Sequence, residues 1–180
     1  MTDYPSNPYV GPRTFGRKHQ HLFFGRDREA QELESLVLSE RITLFYAPSG
    51  AGKSSLINTR LVTDLQNSGF SFYPSSRVGQ TLREDITDID NIFIFNLLDS
   101  LTQGSREKSA LNKVSIADFL RRNPPLATSN SDETMPIEHP PRVLIIDQFE
   151  EILTTHLDRW TERELFFKQI AEAINKDPLL

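Results

Sequence analysis

The segment Phe45–Val62, FYAPSGAGKSSLINTRLV, constrains the chain more than any other. An apolar run ends in small residues, and a lysine, paired serines and a helical pattern follow at once. Residues Ala47–Ser54, APSGAGKS, fit the pattern G-x-x-x-x-G-K-[ST], except that alanine stands at the first glycine. Gly50 and Gly52 lack a Cβ, so the backbone is free to turn sharply and aim successive amides at one point. A helix opening near Lys53 adds unpaired amides and the positive end of its dipole. This chemistry suits a polyphosphate. Ala47, Pro48, Ser49, Gly50, Ala51 and Gly52 would wrap it, Lys53 would reach the β- and γ-phosphates, and the Ser54 hydroxyl would ligate Mg2+. Ser55 is the natural neighbour of the α-phosphate. The flanks agree: RITLFYA (Arg41–Ala47) reads as a β-strand before the loop. A helix follows from Lys53 to about Gln66, with Leu56, Leu61 and Leu65 buried and Gly69 as a left-handed stop.

A phosphate loop alone does not orient a metal; a carboxylate at the end of a neighbouring strand is needed as well. RVLIIDQFEE (Arg142–Glu151) offers one. Its Val-Leu-Ile-Ile run is of the kind buried on both faces of a parallel sheet, and Asp147 ends it where a water-mediated Mg2+ partner belongs. A strand-terminal aspartate also serves as a plain helix cap. The residue that activates the attacking water is open. Gln148 holds the position after the aspartate, and an amide orients water but is a poor base. Glu150 and Glu151 follow. Either one turns back toward the γ-phosphate, or both are first-turn acids at a helix N-terminus.

Elsewhere the pattern runs strand, helix, strand, helices, strand, helix, an α/β order. Asp27 is placed to N-cap a helix through about Leu38, with Ala30, Leu33 and Val37 on one face. FSFYPSSRV supplies a second strand with Pro74 at its end or edge. DIDNIFIFNLLDSL is apolar on more than one side, as a well-buried helix is. Ser115 N-caps a short helix, SIADFLRR, and residues 123–141 form a polar, proline-rich insertion loop. FEEILTTHL and TERELFFKQIAEAI close the chain as helices. Phe166, Ile170, Ala173 and Ile174 mark the apolar face of the second, and Trp160 and Phe167 read as helix packing.

Composition narrows the function. The 180 residues carry a net charge of −5, which argues against nucleic acid or an anionic membrane as the main partner. With no cysteine there are no disulfides or thiolate metal sites, in keeping with a cytoplasmic location. No apolar run approaches the ~20 residues that span a bilayer, and the opening MTDYPSNPYV does not read as a signal peptide.

PYVGPRTF (Pro8–Phe15), LFFGRDRE (Leu22–Glu29), APSGAGKSSL and LIIDQFEE occur in an order that resembles the STAND-class P-loop NTPases of the novel STAND NTPase 1 type. The resemblance covers nearly the whole chain. It implies a switch that binds ATP/ADP with Mg2+ and toggles between closed and assembled states, self-associating on ATP binding within a larger multidomain protein. It places Phe24, Gly25 and Arg26 near the adenine and ribose, and gives Arg13 and Phe15 a bracing role. Residues 1–26 become an arm on the nucleotide site, and 27–180 the P-loop core. Pro12 stands where leucine is usual. The family's next strand, with its phosphate-sensing arginine, is expected beyond Leu180.

The expected fold is therefore an α/β P-loop NTPase three-layer sandwich, AAA/STAND-like, with a mainly parallel sheet and helices on both faces. The expected activity is Mg-ATP binding with slow hydrolysis. Two competitors stand beside it: a P-loop small-molecule kinase, for which Arg121 and Arg122 make a poor lid, and an interaction module whose loop is a relic. NKDP (Asn175–Pro178) places its aspartate one position early for guanine recognition. His19 and His21 lack partners for a metal site. The arm's Arg13, Arg17, Lys18 and Arg26 lie among aromatics, but an acidic chain would need a segregated patch to bind nucleic acid.

Overall fold

In the N-terminal part of the chain the apolar positions recur at helical spacing, and helices are what form there. The computed structural model describes residues 15, 23–81, 89–103, 110–125 and 139–180. They fall into two compact units, Met1–Gly69 and Phe70–Leu180. The arm other than Phe15 and 23–26, the histidines at 19 and 21, and most of the 123–141 loop lie outside the described residues.

In the first unit, α1 (Asp27–Ser39) buries Ala30 and Leu33, while Val37 is half-buried. Asp27 is not the cap. Arg26 holds the N-cap position, and Asp27 is the first helical residue, ion-paired to Arg60. After the loop, α2 (Lys53–Leu56) runs into a π-helical stretch, Ile57–Leu61, and then α3 (Val62–Asn67). Leu56, Leu61 and Leu65 are buried as their spacing requires, each such side chain worth about 1.5–3 kcal/mol. Gly69 follows α3 at φ 86°, in the left-handed region that only glycine enters without cost. The expected strand Arg41–Ala47 joins no ladder among the described residues. Its period of two survives in burial: Ile42, Leu44 and Tyr46 are exposed, and Thr43, Phe45 and Ala47 are half-buried. A strand is defined by a partner backbone, and no strand is described in this unit.

The second unit is built on a short parallel pair, β1 (Ser71–Phe72) and β2 (Arg142–Val143), with Ser71 opposite Arg142 and Phe72 opposite Val143. The pairing resumes at a bridge between Ser76 and Ile146, after Pro74. Proline has no N–H to give the ladder, so it falls in the gap. On its other edge β2 donates from Arg142 N to Leu179 O at 2.6 Å. Leu144, Ile145 and Ile146 are half-buried, not buried on both faces as their apolar run suggested. Leu144 and Ile146 pack against the core, and the intervening Ile145 faces the other way.

That core is dominated by α4 (Ile92–Thr102), which is buried on nearly every side. Its first turn is closed by Asn91, whose side chain accepts from Phe93 N and Ile94 N. α5 (Ile116–Arg122) is capped by Ser115, as its sequence indicates, through Asp118 N at 3.1 Å. α6 (Glu151–Thr154) and a 3-10 turn at Leu157–Arg159 lead to α7 (Glu162–Lys176), which packs on α4 and α5 through Phe166 and Ala173. Trp160 does not pack as expected; it is 63% exposed. Asp177 is ion-paired to Arg142 at 2.6 Å, so the NKDP aspartate ties the end of α7 to β2.

Candidate nucleotide-binding site

The loop geometry follows from its glycines. Gly50 and Gly52 have φ of 79° and 80°, and Gly52 occupies the N-cap position of α2. Ala51 N donates to Pro48 O at 3.2 Å, closing the turn, and Leu56 N donates to Gly52 O at 2.9 Å, starting the helix. Lys53 Nζ rests on the carbonyl of Ala47 at 2.6 Å. The ammonium is thus seated within the loop, on the carbonyl of the loop's first residue. Ser54 is half-buried, and Pro48, Ser49 and Gly50 are exposed. Ser55 is buried, and its Oγ accepts from Phe15 N at 3.1 Å, so this arm residue reaches the helix behind the loop.

Arg26 also reaches the loop. Its Nη1 donates to Ala51 O at 2.6 Å, and its Nε to Glu29 Oε1 at 3.4 Å. A Cβ on Gly52 would stand 3.3 Å from that guanidinium. Gly25 turns the chain into α1 at φ 81°, and Phe24 is 81% exposed.

In the second unit, Asp147 ends the parallel pair, with its N–H on Ser76 O at 2.8 Å. Its Oδ1 accepts from Gln148 N at 3.0 Å. Gln148 is exposed and left-handed at φ 54°, so the chain reverses immediately after the carboxylate. Phe149 is turned into the core, 6.2 Å from the Phe166 ring and 6.0 Å from that of Phe167. That anchors the turn. Glu150 is exposed, whereas Glu151 is half-buried against Gly79. Any Cβ at position 79 would lie 2.7 Å from Glu151 Oε2 and 2.9 Å from Thr155 Oγ1. Sequence reasoning passed over Gly79 and the anchoring role of Phe149, since both depend on partners distant along the chain.

The loop and Asp147 belong to different compact units. Ser54 in the first unit and Asp147 in the second each carry an oxygen donor, the type that Mg2+ binds. Among the described residues there is no cluster of three His, Cys, Asp or Glu side chains able to hold a metal by themselves. No described helix is long and apolar enough to cross a membrane.

The profile of the novel STAND NTPase 1 family matches residues 8–180. The chain belongs to this family. Membership supports nucleotide binding in general by this novel STAND NTPase 1 chain, and the matched span includes the Ala47–Ser54 loop and the Asp147 turn. No solved structure matches it.

Proposed function

We propose that this chain is the Mg-ATP-binding, slowly hydrolysing switch module of a STAND-type signalling protein. The observation that carries the reading is the loop itself: left-handed Gly50 and Gly52 lead directly into the helix that Lys53 opens. Family membership over residues 8–180 supports it. In this reading the backbone of Ala47–Gly52 cradles phosphate, Lys53 leaves the Ala47 carbonyl for the β- and γ-phosphates, and Ser54 and Asp147 hold the metal. Bound Mg2+ would neutralise charge on the phosphate oxygens. Gln148 orients water, and of the two acids Glu150 is the first candidate to polarise it, because Glu151 is packed against Gly79. Phe24 and Gly25 lie toward the base and ribose. The whole is a three-layer sandwich in which 1–26 is the arm and 27–180 the core, working in the cytoplasm with other domains and with further copies of itself.

The deciding experiment is a thermal shift with Mg-ATP on the wild type and Lys53→Ala. The wild type should rise by several degrees and the variant by almost nothing, since binding to the native state alone stabilises by RT ln(1 + [L]/Kd). Equal shifts would place any binding outside the loop. Phosphate release measured without an added acceptor should be slow but real; release that requires an added acceptor would favour a kinase.

A further inference from the structure

Resting on the nucleotide-binding reading above, we infer that Arg26 is a positioning residue. It fixes the Ala51–Gly52 peptide of the phosphate loop so that the Gly52 amide faces the anion, and it acts on phosphate affinity rather than on the choice of base.

The bond from Arg26 Nη1 to Ala51 O, at 2.6 Å, is short and charge-assisted. A trans peptide is planar, with its carbonyl and its N–H on opposite sides. The chain has no cis peptide among the described residues, so pinning the Ala51 carbonyl toward Arg26 turns the Gly52 N–H the other way. That orientation matters because a glycine peptide rotates at little steric cost. Were this one to flip, the loop would present a carbonyl oxygen to a phosphate instead of an amide. Gly52 also admits the guanidinium, which a Cβ would meet at 3.3 Å.

The clamp is itself held in register. Glu29 Oε1 lies 3.4 Å from Arg26 Nε, and the Arg26 carbonyl receives Ala30 N at 3.0 Å as the N-cap of α1. One residue on, Asp27 pairs with Arg60 on the π-helical stretch that continues α2. The start of α1 is therefore joined once to the loop and once to the helix that leaves it, and a shift of α1 would carry Arg26 off the Ala51 carbonyl.

The test measures dissociation constants for ATP, ADP and GTP with Mg2+ on the 180-residue chain and on Arg26→Ala, Arg26→Lys, Glu29→Gln and Lys53→Ala. Losing one charge-assisted bond should weaken ATP and ADP alike, by about tenfold in Arg26→Ala. The ATP-to-GTP ratio should stay unchanged. Arg26→Lys, which keeps a donor for the carbonyl, should recover most of the loss. Glu29→Gln should cost about twofold to threefold and keeps the test open should Arg26→Ala fail to fold. An altered ATP-to-GTP ratio in Arg26→Ala would overturn the inference in favour of a contact to the base. Wild-type affinity in Arg26→Ala would overturn it outright. Equal binding by wild type and Lys53→Ala would instead remove the nucleotide reading, and this inference with it.

Discussion

Gly50 and Gly79 are glycines for different physical reasons, and substitution separates them. At Gly50 a Cβ would meet open space, but φ is 79°, where a side chain costs about 1–2 kcal/mol. At Gly79 the obstacle is volume, because the Glu151 side chain and Thr155 Oγ1 already fill the space. Gly79→Ala should therefore destabilise the chain by about 1–3 kcal/mol as an overpacked site, read as a lower urea midpoint at unchanged slope. The nearest atom a new Cβ would meet is the Glu151 Cβ, so the double variant Gly79→Ala with Glu151→Gly should recover part of that loss; additive losses would show that the crowding is not with Glu151. These two glycines also differ in what sequence exposes. Gly50 and Gly52 were legible because their neighbours in the chain define the motif. Gly79 was not, because its constraint comes from Glu151, on a helix that follows the other strand of the sheet.

Elements were legible where their determinants are local. Ser115 announced α5, Leu56, Leu61 and Leu65 announced the face of α2 to α3, and the apolar surround of α4 announced its burial. Arg41–Ala47 has the alternation of a strand, yet pairing is a non-local event that no periodicity specifies. The residue after β1 is linked to α5 by a bond that sequence could not foretell: the Tyr73 hydroxyl donates to Leu120 O at 3.0 Å. Tyr73 is 4% exposed, and burial raises its phenol above the ordinary value of 10.0, opposed by the neighbouring Arg142 guanidinium. The folded state thus holds this proton more tightly than the unfolded chain. Its contribution is full below pH ~10 and is lost as pH rises from there through the folded value. Urea midpoints measured from pH 8 to 11 should fall above pH ~10 in the wild type. In Tyr73→Phe that part of the fall should vanish, and stability at pH 8 should drop by about 1 kcal/mol for the lost hydrogen bond. An identical fall in both proteins would assign the alkaline loss to other groups.

At the scale of the whole molecule, the motif order carried the family, but a sheet of several strands is not what the described residues contain. Which backbones pair depends on chain segments far apart, and the sequence pattern marks candidates without joining them. The loop and the acidic turn belong to separate compact units, so whether they act on one nucleotide is a thermodynamic question. Asp147→Asn answers it with little structural disturbance, because an amide oxygen can still accept from Gln148 N as Oδ1 does. If Asp147 supports the metal, Mg2+ should tighten ATP binding in the wild type and lose about tenfold of that effect in Asp147→Asn. ATP affinity without metal should stay within about twofold, since only the carboxylate's charge on the ion is removed. Combining Asp147→Asn with Ser54→Ala should then cost less than the sum of the two, because both act through one ion. A Mg2+ effect that survives Asp147→Asn intact would leave that carboxylate with its local role, the bond that holds the left-handed turn at Gln148.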